Sequence, residues 1–145
     1  MDGRAAAAAL RDVSRSLRAL SSVPSRIARR AAEELQDTID VQTASETDPY
    51  GRPWAALAPA TIERKRGDER ILRRTDKMLD ELKVAPMSGA GLSISTDAPY
   101  SAFHQVGTKN MPARKILPDA ALPPSWDAAL TRASRDEFED WKAGA

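Results

Sequence analysis

The first forty residues carry apolar side chains at the spacing of amphipathic helices. One stripe, with steps of three and four residues, consists of Ala6, Leu10, Val13, Leu17 and Leu20. Ser21, Ser22 and Pro24 then interrupt the pattern, and they predict the start of a second helix because serine is a good N-cap and proline fits a first turn. The apolar line of that second helix is Ile27, Ala31, Leu35 and Ile39.

The middle of the chain is predicted to be a loop, then short helices, then strands. Turn-forming residues dominate from Val41 to Pro59. The segment Leu92–Thr96 alternates apolar and polar side chains, and Lys83–Met87 precedes it across a glycine-containing turn, which indicates an antiparallel hairpin. The other predicted elements are short helices capped by Thr61 and Thr75, a helix from Pro99 to Val106 ended by Gly107, and a third strand from Arg114 to Leu117.

A C-terminal helix completes the predicted order of elements. Pro123 and Pro124 break the chain before Ser125, which is placed to cap that helix. Its predicted apolar stripe is Trp126, Leu130, Phe138 and Trp141. N-terminal helices, a small antiparallel sheet with inserted short helices and a C-terminal helix make an α+β fold. We expect a single domain over 1–145, with an N-terminal helical region (1–43), an α+β core (44–118) and a C-terminal helical segment (119–145).

Composition limits the classes of protein that fit. The chain has no cysteine, so a disulfide framework and a thiolate metal site are excluded, and it contains no apolar run near the ~20 residues that span a bilayer. Its formal charge of +1 conceals alternating blocks. Residues 1–30 hold seven arginines, 31–60 are acidic, 61–118 are basic again and 119–145 are acidic. Such blocks fit subunits that pack side by side, and they fit ordinary solvated helix faces equally well.

The candidate reactive groups do not form a catalytic or metal-binding set. His104 is the only histidine, and no cysteine or second imidazole accompanies it, so we expect a hydrogen-bonded packing residue rather than an acid–base catalyst. The acids at 136, 137, 139 and 140 lie at positions that point to several sides of a helix, whereas a cation site needs converging oxygens. The sequence therefore predicts no catalytic residues, no metal site and no cofactor, and it predicts that the protein is not an enzyme.

Four short segments in a fixed order carry a resemblance to a known family. They are Asp48-Pro49-Tyr50-Gly51-Arg52-Pro53-Trp54, Ile71-Leu72-Arg73-Arg74-Thr75, Tyr100-Ser101-Ala102-Phe103-His104-Gln105-Val106-Gly107, and Met111-Pro112-Ala113-Arg114-Lys115-Ile116-Leu117. In order and spacing they resemble the phage virion morphogenesis, or tail completion, family of tailed bacteriophages. The motif positions that the resemblance marks as structural are Gly51, Trp54, Thr75, Tyr100, His104, Gln105, Gly107, Pro112 and Arg114.

The resemblance implies a structural protein that completes the phage tail or the head–tail junction. It implies a ring of identical subunits, expected to be a hexamer, that contacts neighbouring neck, connector or tail-tube proteins and is found in the virion after assembly in the host cytoplasm. We expect the first stripe, at Leu10, Val13, Leu17 and Leu20, to form the subunit interface, and we expect no membrane contact. The loop around Trp54 is expected to dock on an adjacent ring or tube.

Two further expectations concern basic residues. Arg114 enters an apolar segment, so we expect a carboxylate or the C-terminal carbonyls of a helix to hold its guanidinium. The arginines of the first helix and Arg64-Lys65-Arg66 leave open an alternative function as a DNA-binding accessory protein of phage assembly, or passing contact with DNA in the lumen of a ring. No aromatic stacking platform accompanies these basic residues.

Overall fold

The computed structural model describes residues 11, 14, 22–72, 77–88, 91–98 and 101–144. The described elements are α1 (Val23–Ala44), α2 (Pro59–Arg64), α3 (Lys77–Asp80), β1 (Lys83–Pro86), β2 (Leu92–Ser95), α4 (Ser101–Val106) and α5 (Pro124–Gly144). Helices at both ends of this order enclose a two-stranded antiparallel sheet, so the predicted α+β class is confirmed. No helix in these ranges is long and apolar enough to cross a membrane. Outside them lie Thr75, Tyr100 and the predicted interface residues Leu10, Val13, Leu17 and Leu20.

Helix α1 is the support against which the other elements pack. It begins after Ser22 with Pro24 in its first turn, as the sequence predicts. It continues to Ala44, three residues past the predicted start of the loop. Its buried face includes the predicted line of Ala31, Leu35 and Ile39. Leu35 and Ile39 belong to one apolar core with residues from every later part of the chain: Trp54, Ile71, Leu79, Leu82, Ala98, Ile116 and Trp126.

The hairpin lies beside α1 through its first strand. The register pairs Val84 with Ile94 and Pro86 with Leu92. Val84, Leu92 and Ile94 pack against the core, which leaves the opposite face of the hairpin to solvent. The side chain of Gln36 on α1 joins the strand to the helix: its Nε2 donates to the C=O of Leu82 at 3.2 Å, and its Oε1 accepts the N–H of Val84 at 2.9 Å.

Helix α5 packs along α1 with a face that only partly matches the predicted stripe, whose Leu130 packs against the core. Trp126 is buried as expected, but Phe138 is 43% exposed. The buried line instead runs through Ala129, Ala133 and Glu137. The two alanines are fully buried, and such small side chains let the backbones of two helices approach closely. The prediction weighted large apolar residues and therefore missed a stripe built from alanines and one paired acid.

Two other predicted elements differ in the structure. Helix α2 begins at Pro59 with Ala58 as N-cap, so Thr61 lies inside the helix instead of capping it. The predicted third strand, Arg114–Leu117, is not a strand. Among the described residues the sheet consists of β1 and β2, and this segment pairs with neither of them.

Candidate functional site

The segment Arg114–Leu117 belongs to no strand, and its backbone groups pair with side chains instead. Five of its backbone groups are hydrogen bonded to the side chains of Gln105, Trp54 and Gln42, which come from three different parts of the chain. Backbone N–H and C=O groups that leave solvent must be hydrogen bonded. These side chains therefore supply the hydrogen-bond donors and acceptors that a neighbouring strand would supply. We call this segment, together with α4 and the loop that carries Trp54, the joint.

Gln105 makes the densest set of bonds in the joint. Its Oε1 accepts the N–H groups of Ile116 and Leu117, each at 3.0 Å, and its Nε2 donates to the C=O of Leu117 at 2.7 Å. A carboxamide has the same donor and acceptor groups as a peptide unit, so one glutamine can bind both edges of a peptide. Gln105 thereby fixes α4 against the segment that follows it.

Gln42 extends the joint into the core. Its Nε2 donates to the C=O of Ile116 at 3.0 Å, and its Oε1 accepts the indole N–H of Trp126 at 3.1 Å. Both bonds are buried, so α1, the joint and α5 are tied at one point. Sequence reasoning missed Gln42, although the signal was present: it is a polar residue three positions after Ile39 on the apolar face of α1.

Trp54 is brought to the joint by a tightly folded loop. Asp48 organises that loop, because its Oδ1 accepts the N–H groups of Tyr50 and Arg52, both at 2.9 Å. Gly51 has a φ of +84°, a conformation that favours glycine. The indole N–H of Trp54 then donates to the C=O of Lys115 at 2.8 Å. The ring is buried in the core, so the loop cannot use this ring to dock on another protein, and only its outer residues remain available for the contact that we expected.

Arg114 is the buried cation of the joint. It is 5% exposed, and its guanidinium donates from Nε to the C=O of Ala55 at 2.8 Å and from Nη2 to the C=O of Ala56 at 3.0 Å. The expected carboxylate or helix C-terminus is wrong, because these carbonyls belong to the loop before α2. Burial lowers the pKa of the guanidinium from its ordinary value. The planar fork of arginine suits two adjacent carbonyls, which lysine could not match.

His104 lies beside this cation on α4. Its C=O accepts the N–H of Arg114 at 2.7 Å. Burial, and secondarily the positive charge of Arg114, lower the pKa of the imidazole below its ordinary value of 6.5. Within the ranges described, no group of three or more histidine, aspartate or glutamate side chains could hold a metal ion. The surroundings of His104 thus favour a neutral, partly buried ring, which agrees with a packing role.

Gly107 allows the chain to return from α4 to Arg114. Its φ is +75°, and a Cβ atom there would lie 2.8 Å from the backbone nitrogen of Ala113 and 3.0 Å from the C=O of Met111. Only glycine fits such a close backbone approach. Thr108 and Met111 form an isolated antiparallel bridge that closes the loop, and the exposed Pro112 follows it.

The motif positions therefore separate into three groups. Trp54, His104, Gln105, Gly107 and Arg114 converge on the joint, Gly51 shapes the loop that carries Trp54, and Pro112 lies on the exposed return loop. Thr75 and Tyr100 lie outside the described residues. One contribution from outside these positions comes from Tyr50 in the first motif segment, whose hydroxyl donates to the C=O of Ala121 and accepts the N–H of Ala120, both at 3.0 Å.

A cleft lies beside the joint, and the charged side chains that line it are already in ion pairs. It encloses about 230 Å³ between the Trp54 loop and the segment from Ala113 to Lys115. Asp48 binds Arg52 at 3.0 Å, and Lys115 is paired with Asp119. Hydrogen bonding to Lys115 lowers the pKa of the Asp119 carboxyl. The charged groups on these walls therefore stabilise the loops around the joint.

The acidic end of the chain pairs with the basic start of α1. Glu137, 8% exposed, binds Arg26 at 2.6 Å and Arg30 at 3.3 Å, and Asp140 binds Arg30 at 2.8 Å. The sequence suggested that such blocks pair between subunits or are solvated. For Arg26, Arg30, Glu137 and Asp140, the pairing lies within one chain.

Comparison with known proteins gives one match. The model of the phage virion morphogenesis family matches residues 4–131. That range spans most of the chain and contains all four motif segments. No curated protein and no solved structure matches the chain.

Proposed function

Because the chain belongs to the phage virion morphogenesis family, we propose that it is a structural virion protein that completes the tail or the head–tail junction as a ring of identical subunits. The family match supports a role in virion assembly. The observation that carries the structural role is the use made of the motif residues: Trp54, Gln105 and Arg114 form internal hydrogen bonds to backbone groups.

The proposed mechanism is the formation of interfaces between rigid subunits. A ring requires the same heterologous contact to repeat around an axis, so each subunit must present fixed surfaces at a fixed angle. The joint fixes α4 and the Trp54 loop against α1 and α5, because Gln105 binds the N–H of Ile116 while Gln42 binds its C=O and also binds Trp126 on α5. The other parts of this proposal are a hexameric ring, one domain over 1–145, and contact with neck, connector or tail-tube proteins.

The test of ring formation is the double substitution Leu10→Asp and Leu17→Asp. These residues belong to the predicted stripe, and two carboxylates on it would oppose burial against a neighbouring subunit. We expect a folded chain, by circular dichroism, that does not form the ring in solution and does not enter virions. Val41→Asp is the matched control, because Val41 is 67% exposed on α1 and makes the same apolar-to-acid change outside the stripe. If the double variant unfolds, the stripe belongs to the core of the subunit. If the double variant forms normal rings, the stripe is not part of the interface between subunits.

DNA binding is the second candidate, and the turn after α2 favours it. Arg64 and Arg66 are exposed there, and Arg66 lies in the turn with a φ of +58°. Contacts to phosphates would make the affinity for duplex DNA fall steeply with salt. Salt-dependent binding that is lost in the Arg64→Ala, Arg66→Ala variant, with ring assembly unchanged, would favour this function over the first.

A further inference from the structure

The two outer edges of the β1–β2 hairpin are chemically different. The N–H of Met87 donates to the C=O of Gly91 at 2.8 Å, so this pair occupies a hydrogen-bonded position of the ladder. Hydrogen-bonded and non-hydrogen-bonded pairs alternate along two antiparallel strands. Counting from that pair along the register, the backbone groups of Val84 point away from β2, and those of Leu92 and Ile94 point away from β1.

The outer edge of β1 is closed. Gln36 takes both available groups at its start, since Oε1 accepts the N–H of Val84 and Nε2 donates to the C=O of Leu82. The next outward position is Pro86, which has no N–H to donate. Lys83 adds a charge to the same strand. A glutamine, a proline and a lysine thus prevent another strand from pairing here.

The outer edge of β2 is open. Among the described residues, no hydrogen bond reaches the outward N–H and C=O groups of Leu92 and Ile94. From Gly91 to Thr96 the strand has no charged residue and no proline, which are the usual protections of a sheet edge. The side chains of Leu92 and Ile94 pack on the core, so the strand is held extended while its outward backbone groups stay free.

We propose that β2 pairs with β2 of a second copy of this chain, antiparallel across a two-fold axis, to form a four-stranded sheet. The strand is complementary to itself: with Ser93 on the axis, Leu92 lies opposite the partner's Ile94 and Ile94 opposite the partner's Leu92. Each such pair exchanges two hydrogen bonds. No like charges meet, because the facing strands carry none.

The closed edge of β1 limits this contact to two copies. A third copy could attach only through β1, whose outward N–H groups are already bonded, at Val84, or absent, at Pro86. The contact is therefore isologous, unlike the heterologous contact that closes a ring. The inference goes beyond the proposed function and does not depend on it.

Charge at Ser93 tests the pairing. At the two-fold axis, Ser93 and the partner's Ser93 occupy a non-hydrogen-bonded position with Cα atoms about 4.5 Å apart, so like charges there repel. Ser93→Lys and Ser93→Asp, each alone, should halve the mass of the particle measured by sedimentation. An equimolar mixture of the two variants should restore the native mass, because lysine then faces aspartate.

Ala85→Lys is the matched control. Ala85 is opposite Ser93 in the hairpin and on the same face, but it lies on the closed strand. This variant should keep the native mass. The proposal would be overturned if the Ser93→Lys variant kept the native mass. It would also be overturned if the two folded variants, once mixed, did not recover the native mass.

Amide hydrogen exchange gives a second measurement on the native chain. The amides of Leu92 and Ile94 should exchange more slowly in the native chain than in the folded Ser93→Lys variant. Equal exchange rates would show that the edge is uncovered and would overturn the pairing. Protection that appears only after other virion proteins are added would identify a different occupant and contradict pairing between copies.

Discussion

At the scale of single residues, this chain uses glutamine where other folds use a strand. The chain has three glutamines, and each binds backbone groups outside the helices: Gln36 binds β1, Gln42 binds the C=O of Ile116 and Gln105 binds its N–H. A carboxamide offers both a donor and an acceptor, so it satisfies N–H and C=O groups together. Aspartate or glutamate at these positions would keep the acceptor and lose the donor. The geometry of the joint therefore depends on residue type and not only on polarity.

His104 predicts how stability depends on pH. Its pKa is lowered in the folded chain, so the unfolded chain binds more protons near and below pH 6.5. Stability from this residue is complete above the ordinary pKa and falls as the pH drops below 6.5 toward the lowered folded value. We expect the denaturant midpoint of the native chain to fall between about pH 7 and pH 5. In His104→Gln this part of the fall should be absent, and equal slopes for both chains would contradict the assignment.

At the scale of elements, the sequence predicted those whose pairing is local. The hairpin follows from alternation, the start of α1 from the proline in its first turn, and the end of α4 from the glycine at 107; Ser22 precedes α1 but makes no side-chain capping bond. The expected strand at Arg114–Leu117 was wrong because its partners are side chains from distant positions, which no periodicity encodes. The guanidinium of Arg114 is hydrogen bonded, as expected, but its partners are carbonyl groups of a loop, which no sequence motif indicates.

Gly51 and Gly107 allow two costs of a side chain to be measured separately: the strain of a positive φ and the steric contact of a Cβ atom. Gly51 and Gly107 have similar positive φ values, +84° and +75°, but only Gly107 faces atoms that a Cβ would meet at 2.8 Å and 3.0 Å. Gly51→Ala should cost about 1–2 kcal/mol from the left-handed conformation alone. Gly107→Ala should cost more than about 3 kcal/mol, because the backbone of the return loop must also shift. Urea unfolding of both variants measures the difference, and equal costs would mean that the loop yields freely.

At the scale of the whole molecule, α1 and α5 are joined by alanines in the middle and by ion pairs toward the end of α5. The family match ends at residue 131, and α5 continues to Gly144. In the pairs of Arg132 with Glu34 and of Glu137 with Arg26, the residue on α5 lies beyond the end of the family match. The last three turns of α5 are therefore held to α1 by charge. The sequence showed the charges but not their partners, because pairing depends on the crossing of two helices far apart in the chain.

Glu137 tests how much this charge pairing contributes to the stability of the molecule. Its carboxylate is buried and faces two arginines that are themselves about one-third exposed, at 39% and 33%. Glu137→Gln keeps the shape and removes the charge, so Arg26 loses its ion pair with Glu137 while Arg30 keeps the one with Asp140. We expect a loss of about 1–3 kcal/mol in the free energy of unfolding, less than for a fully buried pair because water reaches the arginines. Glu139→Gln is the matched control, because Glu139 is exposed and its one ion pair among the described residues is with Lys142, and its change should stay within about 0.5 kcal/mol. If both substitutions cost the same, the alanine packing of Ala129 and Ala133 holds the two helices together without help from the ion pairs.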